Sequence, residues 1–244
     1  MAALVEAPHP TWSRATAGAA RRLAAVTAAG GLLGLLVGGV GGRLAMMLLA
    51  RLNPEATGVT SDDGFTIGRL TTASLNLLVI GTLLGVFGAG IYFVLRGLMV
   101  GPRWFQVLSV SVGPAVVVGS QIVHTDGVDF TLDPALLGVA LFVLLPGIYA
   151  ASLTILAEHW LDEEGRFATS SPWLADLPLL LWLPIAPLLG VLVVGLAAFE
   201  AVRRTRRGSA LLAHHAMPWL ARGALAIVFL AAMLDLAHDA VILA

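Results

Sequence analysis

About six stretches of this chain are apolar over about twenty residues each, and its polar residues collect in the short segments between them. An α-helix rises about 1.5 Å per residue, so about 20 apolar residues cross the roughly 30 Å hydrocarbon layer of a bilayer. The stretches are continuous rather than alternating, which excludes a transmembrane β-barrel. The sequence therefore predicts an all-α fold, a polytopic helical membrane protein with about six transmembrane helices.

The predicted spans cover residues 23–50, 74–97, 104–123, 134–157, 177–199 and 219–242. Residues 1–20 are predicted to form a flexible N-terminal tail, and residues 21–244 a single transmembrane helical bundle. An even number of crossings predicts both chain ends on one side of the membrane, here named the terminal face. The loops 51–73, 124–133 and 200–218 are then predicted on the opposite side, here named the loop face.

The amino-acid composition indicates the surroundings and the cellular location of the protein. Charged residues make up 12% of the chain, against about 25% in soluble domains, so the predicted surroundings are the lipid bilayer. A net charge of −1 gives no footprint for nucleic acid, and the lack of cysteine excludes disulfides and thiolate metal sites. All 14 basic residues are arginine, which together with the many alanines indicates a GC-rich bacterial genome and hence a bacterial plasma membrane. Their distribution leaves the membrane orientation open.

Glycines recur at every fourth position of the first span, at Gly30, Gly34, Gly38 and Gly42. The second span carries a shorter run of small residues with the same spacing. Such stripes let helix backbones approach closely, and in lipid this packing drives helix association. The pattern predicts either a tight contact between the first two spans or a homo-oligomer seam through the four glycines.

A first candidate site combines one arginine with acidic loop residues. Arg43 lies near the end of the first span, where its side chain can reach water or pair with Asp62 or Asp63. Asp126 and Asp129 lie in the next loop on the loop face. These five residues are the predicted ligand-binding set, and the leading function is binding or transport of a small ligand, ion or lipid within the bundle.

A second candidate site lies in the last span. Asp235, His238 and Asp239 follow one another at helical spacing, and Glu158 and His159 end the fourth span on the same predicted face. Carboxylates and imidazoles can bind a divalent metal or relay protons. An alternative function is therefore a membrane-embedded enzyme acting on a lipid or isoprenoid substrate. A further alternative is an accessory or assembly subunit that packs through the glycine stripe. The sequence specifies neither a cofactor nor a metal.

Three short strings carry a resemblance. They are GGRLAM at 41–46, TSDDGF at 60–65 and DGVDF at 126–130. Together they resemble a group of uncharacterised multi-pass membrane proteins of high-GC bacteria, over residues 1–150. The resemblance implies a multi-pass membrane protein and brings no activity with it.

Overall fold

A computed structural model describes residues 12–61, 64–161, 176–187, 205 and 216–243. Five helices within these residues are long and apolar enough to cross a membrane, which confirms the predicted all-α polytopic architecture. The helices are α1 (Trp12–Leu33), α2 (Gly42–Leu52), α3 (Thr72–Leu95), α4 (Arg103–Ile122), α5 (Ala135–Leu161) and α6 (Met217–Leu243). An eight-residue π-helical stretch, Gly34–Gly41, joins α1 to α2, so that the first span runs from Ala17 to Leu52.

The first helix begins earlier than the sequence predicted. It is helical from Trp12, so residues 12–20 extend α1 in place of the second half of the predicted tail. Alanine has the best helix propensity, and no proline interrupts the chain between residues 12 and 33. The helix therefore continues outward from the apolar run.

The first span is the centre of the bundle, and its glycines contact α3. A Cβ atom added to Gly85 would lie 2.6 Å from Cα of Gly34 and 2.9 Å from its nitrogen. Gly30 also packs against Gly85, and Gly81 packs against Gly34. The predicted tight contact between the first two spans is thus formed by backbone touching backbone. A homo-oligomer seam through Gly30, Gly34, Gly38 and Gly42 stays a prediction.

The remaining elements lie on two sides of this pair. On one side α5 packs against α1, α4 packs against α5, and α6 packs against α4. On the other side a 3₁₀ helix, Leu177–Ile185, packs against α1 and α3. There the indole Nε1 of Trp182 donates a hydrogen bond of 3.0 Å to the hydroxyl of Thr27.

The predicted fifth span differs from the other five. Its first residues form the 3₁₀ helix rather than an α-helix, and residues 188–199 lie outside the described part of the chain. Pro184, inside this helix, lacks the backbone N–H that an α-helix needs at each interior position.

The direction of α6 corrects the predicted topology. Near its start, Arg222 Nε donates a 2.9 Å hydrogen bond to the carbonyl of Leu98, which follows α3 at the terminal face. Near its end, Leu236, Ala240 and Leu243 pack against a cluster at the loop face. The prediction that α6 starts at the loop face is wrong, and so is the prediction that the last helix ends on the side where the first one starts. Residues 161 and 217 both lie at the terminal face, so a single crossing over 177–199 does not connect them.

The loop face is a packed cap, which confirms that loops 51–73 and 124–133 share one side. Phe65 and Phe130, one from each loop, lie in the same buried cluster as residues from α2 and α5. The first loop contains a short hairpin, in which Thr60 and Thr66 form an antiparallel bridge. Asn53, at the end of α2, holds the second loop through hydrogen bonds to the backbone of Asp133.

Candidate functional site: a polar cleft at the terminal face

A polar cleft opens where α3, α4 and α5 meet the terminal face. Its volume is about 210 Å³. The residues that line it are Arg96, Met99, Arg103, Gln106, Thr154 and Glu158, and this set is here named the terminal-face cleft. Thr154 and Glu158 lie one helical turn apart on α5, and Arg96 and Arg103 lie on either side of the short turn between α3 and α4.

Glu158 organises one wall of the cleft. Its Oε2 forms a 3.0 Å ion pair with Nη2 of Arg96, and its Oε1 accepts a 2.8 Å hydrogen bond from the hydroxyl of Tyr92. Both carboxylate oxygens therefore have a partner. The side chains of Arg96 and Glu158 are each 32% exposed, so the ion pair orients the groups more than it stabilises the fold.

The opposite wall carries an arginine without such a partner. Arg103 begins α4 and is exposed, and within the described residues it has no hydrogen bond or ion pair. Gln106, one turn later, donates through Nε2 to the carbonyl of Gly101 at 2.9 Å. Two guanidinium groups and one carboxylate give the lining an excess of one positive charge. Because a guanidinium is planar and always charged, it suits phosphate and carboxylate groups.

Aromatic residues place the cleft at the level of the lipid headgroups. Trp104 at the start of α4 and Trp219 at the start of α6 are both exposed. The guanidinium carbon of Arg222 lies 4.9 Å from the centre of the Trp219 ring. Tryptophan prefers the boundary between hydrocarbon and water. The cleft is therefore within reach of headgroups from the surrounding membrane.

Sequence reasoning found one residue of this cleft and missed the others. Glu158 was a catalytic candidate, whereas Arg96, Arg103 and Gln106 were not singled out. Their signal in the sequence is two arginines around a short turn between apolar spans, a pattern also typical of side chains that merely reach water. Only the packing of α3 against α5 shows that Arg96 and Glu158 meet.

The predicted ligand-binding set on the loop face is only partly brought together. Arg43 is 6% exposed, and its Nη2 donates a 2.9 Å hydrogen bond to the carbonyl of Thr66 in the hairpin. Asp129 is buried and Asp126 is exposed, while Asp62 and Asp63 lie outside the described residues. Arg43 thus holds the hairpin against the first span instead of reaching water. A ligand-binding role for the set stays a prediction.

The catalytic candidates do not form one site. Glu158 and His159 end α5 at the terminal face, whereas Asp235 lies about 20 Å beyond Arg222 along α6 at about 1.5 Å per residue. His238 and Asp239 are further still toward the loop face. The expected convergence of the two groups is therefore wrong, because it relied on the opposite direction of α6. Among the described residues, no group of three or more His, Cys, Asp or Glu side chains could hold a metal ion.

Comparisons with known proteins assign no function to the chain. No family model matches the chain. Neither a curated protein nor a solved structure shows significant similarity to it. What can be concluded about the chain is accordingly its class, a multi-pass α-helical membrane protein with a positively charged cleft at its terminal face.

Proposed function

We propose that this protein binds a small anionic ligand in the terminal-face cleft. The single observation that supports the proposal is Arg103, an exposed guanidinium at a cleft whose other arginine is already paired with Glu158. Hydrogen bonds between arginine and phosphate or carboxylate are charge-assisted and stronger than neutral ones. Gln106 provides a further polar side chain on the same helix face.

The chemistry of the ligand follows from the position of the cleft. A phosphate group suits the guanidinium of Arg103, and it can come from a lipid headgroup or from a soluble phosphate compound. The nearby exposed tryptophans favour a headgroup source, and a bacterial plasma membrane supplies anionic lipids. Transport of the ligand, catalysis on a lipid or isoprenoid substrate and an accessory role are predictions that lie beyond this binding step.

The first test removes the positive charge of Arg103. Purified protein is titrated with short-chain phosphatidylglycerol, with inorganic phosphate and with short-chain phosphatidylcholine, and Kd is measured from tryptophan fluorescence. We expect Arg103→Gln to bind phosphatidylglycerol about fivefold more weakly, since one arginine near an anionic surface contributes about 1 kcal/mol. Arg51→Gln, an exposed position at the loop-face end of α2, is the control with the same change in net charge.

A second variant moves the charge of the cleft the other way. Glu158→Gln keeps the shape of the side chain and its acceptor for Tyr92, but it leaves Arg96 without its carboxylate. We expect tighter binding of phosphatidylglycerol, because the lining then carries two uncompensated positive charges. If inorganic phosphate binds as well as the lipid, the ligand is a soluble phosphate. If Arg103→Gln binds as tightly as Arg51→Gln, the cleft is not the binding site.

A further inference from the structure

We infer that two copies of this chain pair through α6, with Asp235 of each copy contacting the partner subunit's His238. The inference is independent of the cleft and of its ligand. It starts from the position of α6 at the edge of the bundle. In the apolar window of the first span half the residues are buried, whereas in the window of α6 only 6% are.

Only one face of α6 packs within the described part of the chain. Leu236, Ala240 and Leu243 lie against the loop-face cluster, and α4 is the helix with which α6 makes most of its contacts. Two other faces are exposed. One is wholly apolar, with Ile227, Leu230, Leu234 and Val241, and suits lipid chains.

The remaining exposed face has a different composition. Its members repeat at alternating intervals of four and three residues, and all are exposed: Ala224, Val228, Ala231, Asp235, His238 and Ile242. This is the heptad spacing with which two helices pack side by side. Alanines at two of the positions allow close approach of a second helix. This face is here named the Asp235 seam.

The depth of Asp235 makes exposure to lipid unfavourable. It precedes Leu243, which packs at the loop face, by about 12 Å, and it follows Arg222 by about 20 Å at about 1.5 Å per residue. Both distances place the carboxyl group inside the hydrocarbon layer. Ionisable side chains at such depth face a partner or a water-filled space rather than lipid.

The seam is complementary to itself, and this identifies the partner as a second copy. In a parallel pair related by a two-fold axis, each contact occurs twice with the roles exchanged. Asp235 and His238 are separated by about 4.5 Å along the helix, within the reach of a carboxylate and an imidazole. The Asp235 carboxylate can accept a hydrogen bond from the partner subunit's His238. By symmetry, His238 of the first copy donates the same hydrogen bond to the partner subunit's Asp235.

The chain contains no cysteine, so single-cysteine variants report this contact directly. In isolated membranes treated with an oxidant, we expect Ala231→Cys to form a disulfide-linked dimer. Leu230→Cys, on the apolar face one residue away, is the matched control and is expected to stay monomeric. Equal cross-linking of the two variants, or none at Ala231→Cys, overturns the inference. The second result includes the case in which another segment of the same chain covers the seam.

A second measurement tests the polar pair itself. We expect Asp235→Ala to weaken the dimer about fivefold to tenfold, as measured by energy transfer at increasing lipid dilution, because both symmetric hydrogen bonds are lost. Asp235→Asn keeps an acceptor and is expected to weaken it less, which separates loss of the contact from loss of the fold. Adding His238→Ala to Asp235→Ala should weaken the dimer no further. A dimer unaffected by Asp235→Ala would show that the pair does not form.

Discussion

Gly85→Ala is expected to lower the free energy of unfolding by about 2–3 kcal/mol, the cost of forcing an added group into a packed interface. The added methyl group would lie 2.6 Å from Cα of Gly34, and that atom belongs to a backbone held in the central span. A flexible side chain could move aside, whereas here two helices must separate. The hydroxyl of Tyr149 on α5 also donates to the carbonyl of Gly85, so three helices meet at this residue.

The measurement is reversible unfolding in mixed micelles, followed by circular dichroism. Gly223→Ala is the matched control, since it makes the same substitution within α6, where an added Cβ meets no atom within 4 Å. Alanine is a better helix former than glycine by up to about 1 kcal/mol, so this control should be neutral or stabilising. The two substitutions are expected to differ in sign. If Gly85→Ala is as stable as Gly223→Ala, the backbones of α1 and α3 are not in contact.

The contact between the first two spans, which this prediction tests, could be predicted from the spacing of the glycines alone. A glycine at every fourth position marks one side of a helix, and a second span with the same spacing is the simplest partner. The apolar spans were equally readable, because length and hydropathy are local properties of the chain. What the stripe could not decide was whether its partner is the same chain or another one.

The direction of α6 could not be obtained in this way. Counting spans assigns each loop to a side only if every intervening crossing is correct, so one error reverses everything that follows it. The error lies between residues 161 and 217, which were counted as one crossing, and the described part of that stretch is a 3₁₀ helix rather than an α-helix. Because α6 runs in the direction opposite to the predicted one, Asp235 and His238 lie far from Glu158. The predicted convergence of the catalytic candidates is therefore wrong.

The partners of the buried arginine show a second limit. The sequence offered water or an acidic loop residue as partners for Arg43. The structure instead gives it the backbone carbonyl of Thr66, 23 residues away in a hairpin. A carbonyl carries no signature in the sequence, because every residue has one. The same applies to Leu98, whose carbonyl accepts a hydrogen bond from Arg222.

Asn53→Ala is expected to lower the free energy of unfolding by about 2 kcal/mol, within the range for leaving buried polar groups without partners. Asn53 is 4% exposed, and its amide makes three hydrogen bonds. Nδ2 donates to the carbonyls of Leu49 and Asp133 at 2.9 and 2.8 Å, and Oδ1 accepts from the nitrogen of Asp133 at 3.0 Å. Removing the amide releases the second loop from the first span, while the helix itself can persist.

Asn76→Ala, at an exposed position on α3, serves as the control and should change stability by no more than about 0.5 kcal/mol. Hydrogen exchange then distinguishes a local effect from a global one. In Asn53→Ala, the amides of Phe130 and Thr131 are expected to exchange faster, whereas those around Gly85 keep their protection because α1 and α3 remain packed. Equal acceleration at both places would mean that the cap and the bundle unfold as one unit, and that Asn53 does not act as a local clamp.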